Sequence, residues 1–166
     1  SLNNFWDAWQ ELSKAPESLT IRALLKQRAE SLVESMNHIG TQLNKLQSDL
    51  NNEIRLRIDE VNDITEKIAK LNVKIMSAEA AGNSPNDYYD ERNMLVDRLS
   101  TLVAAETWIG PEGNMDIIVD GYFLVSKGIQ TRIYAAPNQD LSSFYTPKVE
   151  GIDVAIDVGQ GVIKGL

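Results

Sequence analysis

From Ile21 to Ile75 an apolar side chain recurs at every third or fourth position, through Leu25, Ala29, Leu32, Met36, Ile39, Leu43, Leu46, Leu50, Ile54, Ile58, Val61, Ile64, Ile68 and Leu71. Fifteen such steps cover 54 residues. Their mean of 3.6 equals the pitch of a straight α-helix and exceeds the 3.5 of a sustained two-stranded coiled coil, because consecutive four-residue steps at Leu50, Ile54 and Ile58 act as a stutter. No proline and a single glycine, Gly40, fall between Pro16 and Ala81. The pattern predicts one uninterrupted helix from about Ser18 to Ala81, a gently curved rod ~95 Å long at ~1.5 Å per residue.

The stretch "AGNSPNDYYDERN" ends that helix and starts another. Gly82 can take the left-handed conformation that closes a helix, and Ser84 is expected to cap the next one with its hydroxyl. Pro85 then falls at the first helical position and Asp87 at the third, where a carboxylate meets the positive helix end. Tyr88, Leu95, Leu99 and Leu102, flanked by Tyr89, Val96 and Val103, give the second helix an apolar face broad enough to fold back as an αα-hairpin with its turn at 82–85.

That second helix is only about twenty residues long, so it covers the first from Ile75 back to about Val61. A shorter helix carrying Phe5, Trp6, Trp9 and Leu12 precedes the long one and shields the region of Ile21 and Leu25. The stripe from Leu32 to Ile58 is therefore expected to face water, more apolar surface than a monomer ordinarily leaves exposed. Such a stripe predicts weak self-association, or a partner.

After Glu106 the periodicity changes from helical to alternating. "WIGPEGNMDIIVDGYFLV" reads as two short strands joined at Asp120-Gly121, with an earlier turn at residues 110–113. Further strands are expected at "IQTRIYAA" and at "GIDVAIDV", where Ile152, Val154, Ile156 and Val158 alternate with polar residues and Ala155. The predicted fold class is α+β: a long helix with shorter antiparallel helices packed on it over residues 3–106, and a small antiparallel β subdomain over 107–166. The final "GQGVIKGL" is turn-like and reads as a truncation.

Chemistry finds little to work with. Sixteen basic against 24 acidic side chains give a net charge of −8, a field that repels phosphate and argues against nucleic acid. No apolar run is long enough to span a bilayer, and "SLNNFWDAWQELSK" lacks the basic and apolar regions of a cleavable signal. With no cysteine and one histidine, His38, thiolate zinc sites and cysteine nucleophiles are excluded. His38 sits beside the apolar stripe with no partner constellation. Asp87, Asp90 and Glu91 lie in the first turns of a helix, where acids are expected for dipole reasons alone, and Asp153 and Asp157 read as a solvated strand face. Arg92, one turn after Tyr88, reads as stabilising the helix start by stacking on that ring. The reading is of no catalytic, cofactor or metal site, and Phe5, Trp6 and Trp9 serve equally well as packing or as a binding surface.

One segment carries a resemblance. "GNSPNDYYDERNMLVDRLSTLV", residues 82–103, resembles the turn and helix of the bacterial flagellar hook-associated protein 1 family, the hook-filament junction proteins. "LNNFWDAWQELSKAPESLTIRALLKQRAESLVESMN", the later "GYFLV" and the closing Gly-Leu are similar to that family too. Tyr88, Tyr89, Glu91 and Asn93 depart from its commoner residues and leave the turn intact. The resemblance implies a structural, non-enzymatic subunit of the flagellar axial assembly, extracellular, exported without a cleaved signal, and joining hook to filament. It implies as partners the hook protein, a second junction protein, copies of itself, and terminal helices of the same chain lying along the Leu32–Ile58 stripe. Without the resemblance, the residues also fit a coiled-coil-like adaptor or adhesin presenting a β-rich head.

Overall fold

A computed structural model describes residues 2–138, 144–159 and 163. Three helices, α1 (Leu2–Lys14), α2 (Leu19–Ala80) and α3 (Asn86–Leu102), precede six strands. These are β1 (Glu106–Ile109), β2 (Met115–Val119), β3 (Tyr122–Ser126), β4 (Ile129–Gln130), β5 (Ile133–Pro137) and β6 (Tyr145–Val149). The fold is α+β, as the periodicities require. The chain divides into two compact units, Ser1–Ser48 and Asp49–Leu166, and the division falls inside α2.

In the first unit, α1 ends at Lys14 and the chain turns through Ala15, Pro16 and Glu17. Ser18 caps α2: its Oγ accepts from the Ile21 amide at 3.4 Å, and Arg22 Nε donates to the Pro16 carbonyl at 2.8 Å. Phe5 and Leu12 are half-buried, and only Ala8 of α1 is fully buried.

The second unit holds the core. Ile54, Ile58, Val61, Ile64 and Ile68 of α2 meet Leu99, Leu102 and Val103 at the end of α3, and Ile117, Val119, Leu124 and Val125 of the first sheet. Ile133, Val149, Ile156, Val158 and Ile163 close the same cluster. The first sheet runs β1-β2-β3-β4 and the second pairs β5 with β6, every neighbour antiparallel. Asp120 (φ 50°) and Gly121 (φ 77°) form the two-residue turn between β2 and β3, the left-handed pair that matches strand twist. Gly128 lies in the next turn, where an added Cβ would come within 2.4 Å of Val73 Cγ2, so a larger residue there would force Val73 to shift.

Four details depart from the sequence expectations. Ile54 and Ile58 are buried, 6% and 2% exposed, because β6 and the chain after it lie beside Ile54 while β5 and residues 150–153 lie beside Ile58, so the open stripe ends before Ile54. "GIDVAIDV" forms a single bridge, Ala155 to Lys148, rather than a strand. Ile152 and Val154 are exposed there while Ile156 and Val158 are buried, and a left-handed Asp153 (φ 58°) breaks the alternation. The strand that pairs with β5 is instead "YTPKV", whose Pro147 sits at the margin of a two-stranded sheet, where a missing donor is tolerated.

The fourth departure concerns the helix turn. Gly82 (φ 77°) closes α2 in a Schellman arrangement, with the Gly82 amide donating to Glu79 O at 2.8 Å and the Asn83 amide to Ala78 O at 3.0 Å. Ser84 does not cap α3. Pro85 holds the capping position, no side chain bonds the first-turn amides, and the Pro85 carbonyl takes the Tyr88 and Tyr89 amides at 3.0 and 3.2 Å. Because α3 begins at Asn86, one residue later than expected, the Ser84 hydroxyl is out of register with the amides it would serve.

Candidate assembly surface

The residues weighed for chemistry do not converge. His38 is exposed on α2, and Asp87, Asp90 and Glu91 are exposed on α3. Among the described residues no three His, Asp or Glu side chains stand close enough to share a metal. Asp153 accepts the Tyr134 hydroxyl, and Asp157 accepts the Gly159 amide at 2.9 Å while its own amide reaches Asp120 Oδ2 at 2.9 Å. These contacts order turns.

Arg92 has a different role from the one its sequence position suggests. It is 2% exposed, stands over the Tyr89 ring at 5.2 Å, and donates from Nη1 to Asn72 Oδ1 at 2.9 Å and to the Gly113 carbonyl at 2.7 Å. Lys74, not Arg92, lies over Tyr88. Burial pushes the Arg92 guanidinium below its usual value, opposed by the charges of Tyr89 and Glu79. The Tyr89 hydroxyl is pushed up, first by its hydrogen bond to Glu79 and then by burial.

Two asparagines of α2, Asn62 and Asn72, are buried although neither belongs to its apolar stripe. Asn72 Nδ2 donates to Met115 O at 2.7 Å and Lys127 O at 2.5 Å, and its Oδ1 accepts the Met115 amide at 3.0 Å. Asn62 does the same at the second sheet, donating to Ile133 O at 2.8 Å and accepting from Ile133 N at 3.0 Å. Each amide side chain thus stands in for one residue of a neighbouring strand, so strand backbone can end against a helix without orphaned groups. The available signal was an Asn immediately after an apolar stripe position, in "EVNDI" and "KLNVK", at a point where helix propensity offers no reason for it.

What remains unpartnered is a surface. In the first unit Val33, Met36, Ile39, Leu43 and Leu46 are 55, 63, 57, 60 and 55% exposed. Ala29, Leu32, Met36, Ile39, Leu43, Leu46 and Leu50 follow one another in alternate steps of three and four, a heptad seam that gives way to the straight-helix spacing where Ile54 enters the core. Ser35, Gly40, Gln42 and Gln47 flank it without charge, and a Cβ at Gly40 would meet nothing within 4 Å. Beside it, Phe5, Trp9, Leu12, Leu25 and Ala29 line a groove of 530 Å³ with Arg22 and Lys26 at its rim.

A family model described as "Flagellar hook-associated protein FlgK helical domain" matches residues 1–166. This chain belongs to the FlgK helical-domain family. It is 33% identical to the flagellar hook-associated protein 1 of Bacillus subtilis over 102 residues, 61% of this chain and 20% of that protein. With the Salmonella typhimurium protein of the same description it shares 30% identity over 141 residues, 83% of this chain and 26% of the relative. The chain thus spans roughly a fifth to a quarter of the length of these relatives. The same fold is present in the flagellar hook junction protein FlgK of Burkholderia pseudomallei, with a TM-score of 0.82 at 20% identity over 95% of this chain and 30% of that one.

Proposed function

We propose that this FlgK helical domain is a structural, non-catalytic part of a flagellar axial subunit that joins hook to filament outside the cell. The observation that carries the reading is the open heptad seam from Met36 to Leu46. Seams of this kind are completed by other helices, and burying each of these side chains contributes roughly 1.5–3 kcal/mol. Further helical segments of the axial assembly, from the same polypeptide or from neighbouring subunits, supply that cover in this reading. The α+β unit from Asp49 onward then gives the subunit a rigid body whose core is independent of the seam.

The test replaces this region in a full-length protein of the family. Leu43→Glu with Leu46→Glu should leave expression and export intact while filaments detach or fail to grow beyond the hook, seen by electron microscopy of shed and cell-bound filaments. Normal filaments and motility with both glutamates in place would sink the reading.

A further inference from the structure

A cavity of 610 Å³ opens between α2, β5 and the turn after β6, wholly within the unit from Asp49 onward. Its size falls in the range of small-molecule sites, roughly 300–1,000 Å³. Backbone contacts fix its walls: Asn62 holds both groups of Ile133, the Glu150 amide donates to Arg132 O at 2.9 Å, and the Asp153 amide donates to Val149 O at 3.0 Å. Five charged side chains line it, and two are already engaged. Arg55 lies 4.4 Å over the Tyr145 ring and donates to that hydroxyl at 2.5 Å, and Asp153 accepts from Tyr134. Asp59, Arg132 and Glu150 are exposed, and among the described residues none of them makes an ion pair or a side-chain hydrogen bond. Arg55 and Asp59 stand one helical turn apart, a spacing at which opposite charges readily pair, and even they do not. One open guanidinium and two open carboxylates thus surround one cavity.

We propose that this cavity binds a free dibasic amino acid, lysine or arginine, with its α-carboxylate on Arg132 and its two cationic groups on Asp59 and Glu150. The signs select the ligand. A phosphate-bearing molecule would meet two carboxylates, and an apolar one would desolvate three charges without pairing any of them. Among the described residues no three acidic side chains come close enough to share a metal ion. One negative and two positive groups on a short flexible stem complement all three open charges. Arg132 offers its carboxylate partner two parallel N–H donors, a fork that a lysine would not supply. Ile58 and Ala135, also in the lining, give the ligand's methylenes the apolar contact that long cationic stems ordinarily take. Because all three charged partners are exposed, solvent and salt screen them, and the affinity is weak, roughly millimolar.

Two-dimensional amide NMR of the chain at low ionic strength tests this, with titrations of L-lysine, L-arginine, L-norleucine and cadaverine set against matched additions of sodium chloride. Lysine and arginine should move the amides of residues 132–135 and 150–153 saturably. Norleucine, which lacks the side-chain cation, and cadaverine, which lacks the carboxylate, should each bind about tenfold more weakly. Arg132→Gln should erase the preference for lysine over cadaverine, and Asp59→Asn with Glu150→Gln should erase the preference over norleucine. Melting curves should be retained in both variants, since none of the three side chains has a partner in the single chain. The proposal is overturned by the absence of saturable shifts at these amides, by shifts that sodium chloride reproduces, by norleucine or cadaverine binding as tightly as lysine, or by an affinity for lysine that the substitutions leave unchanged.

Discussion

Asn72 holds the backbone of Met115 by both of its groups, donating to the carbonyl at 2.7 Å and accepting from the amide at 3.0 Å, so that one side chain of α2 continues the edge of β2. It also anchors Arg92 and the Lys127 carbonyl, joining both helices of the hairpin to the first sheet. Asn72→Ala therefore orphans several buried polar groups together and should lower unfolding stability by about 3 kcal/mol or more. Asn62→Ala, which frees the two backbone groups of Ile133, should cost less. Urea unfolding of both variants checks the order; equal losses, or losses below about 1 kcal/mol, would show that water replaces these bonds.

The α2–α3 turn separates two residues that look equally important in sequence. Gly82 adopts φ 77° and closes α2, whereas the Ser84 hydroxyl makes no cap bond. Gly82→Ala should destabilise by about 1 kcal/mol through left-handed strain, and Ser84→Ala should stay within about 0.5 kcal/mol of wild type. Thermal melts showing the reverse ranking would return the cap to Ser84.

The elements legible in the sequence were those set by local physics. The 3.6 spacing of Ile21 to Ile75, the Gly82 stop and the Asp120-Gly121 hairpin each depend on a few neighbours, and each is present. Where tertiary packing decided, the local pattern misled. Ile54 and Ile58 belong to the same stripe as Leu43, and the distant β5 and β6 regions bury them. "GIDVAIDV" alternates well, yet "YTPKV" took the place beside β5. The candidate surface was legible as an apolar surplus on α2, since covering elements of known length could be counted. Asn62, Asn72 and the buried position of Arg92 were not, because a polar residue in a helix acquires its meaning from backbone more than twenty residues away.

Glu60 supplies a pH dependence. Burial alone would raise its carboxyl, but hydrogen bonds and charge from Arg98 and Arg57 outweigh it and hold the group below the usual carboxylate range. A depressed folded value means that the contribution is complete above the ordinary carboxylate value and disappears as pH falls through the folded one. Glu60→Gln should thus weaken the chain at neutral pH by less than about 1 kcal/mol, given the exposure of Arg98, and should flatten the stability curve as pH falls below the ordinary carboxylate range. Parallel acid limbs for the two proteins would count against this pairing.

The open seam predicts an asymmetry between two residues of one helix. Leu43 is 60% exposed and Ile68 is fully buried, although both occupy the same apolar stripe. Ile68→Ala removes packed methyl groups from the core and should cost about 2–5 kcal/mol, whereas Leu43→Ala in the isolated chain has little burial to lose and should cost less than about 0.5 kcal/mol. Amide exchange provides the second readout. Protection around Ile64 to Ile75 should approach that of global unfolding, and amides from Met36 to Leu46 should exchange through local opening at much lower free energy, since the apolar side chains of that part of α2 are exposed among the described residues. Placing this region within a full-length protein of the family should reverse the asymmetry at Leu43, raising both its exchange protection and the cost of Leu43→Ala. If protection were already uniform along α2 in the isolated chain, the seam would have to be covered there by something other than the helices proposed here.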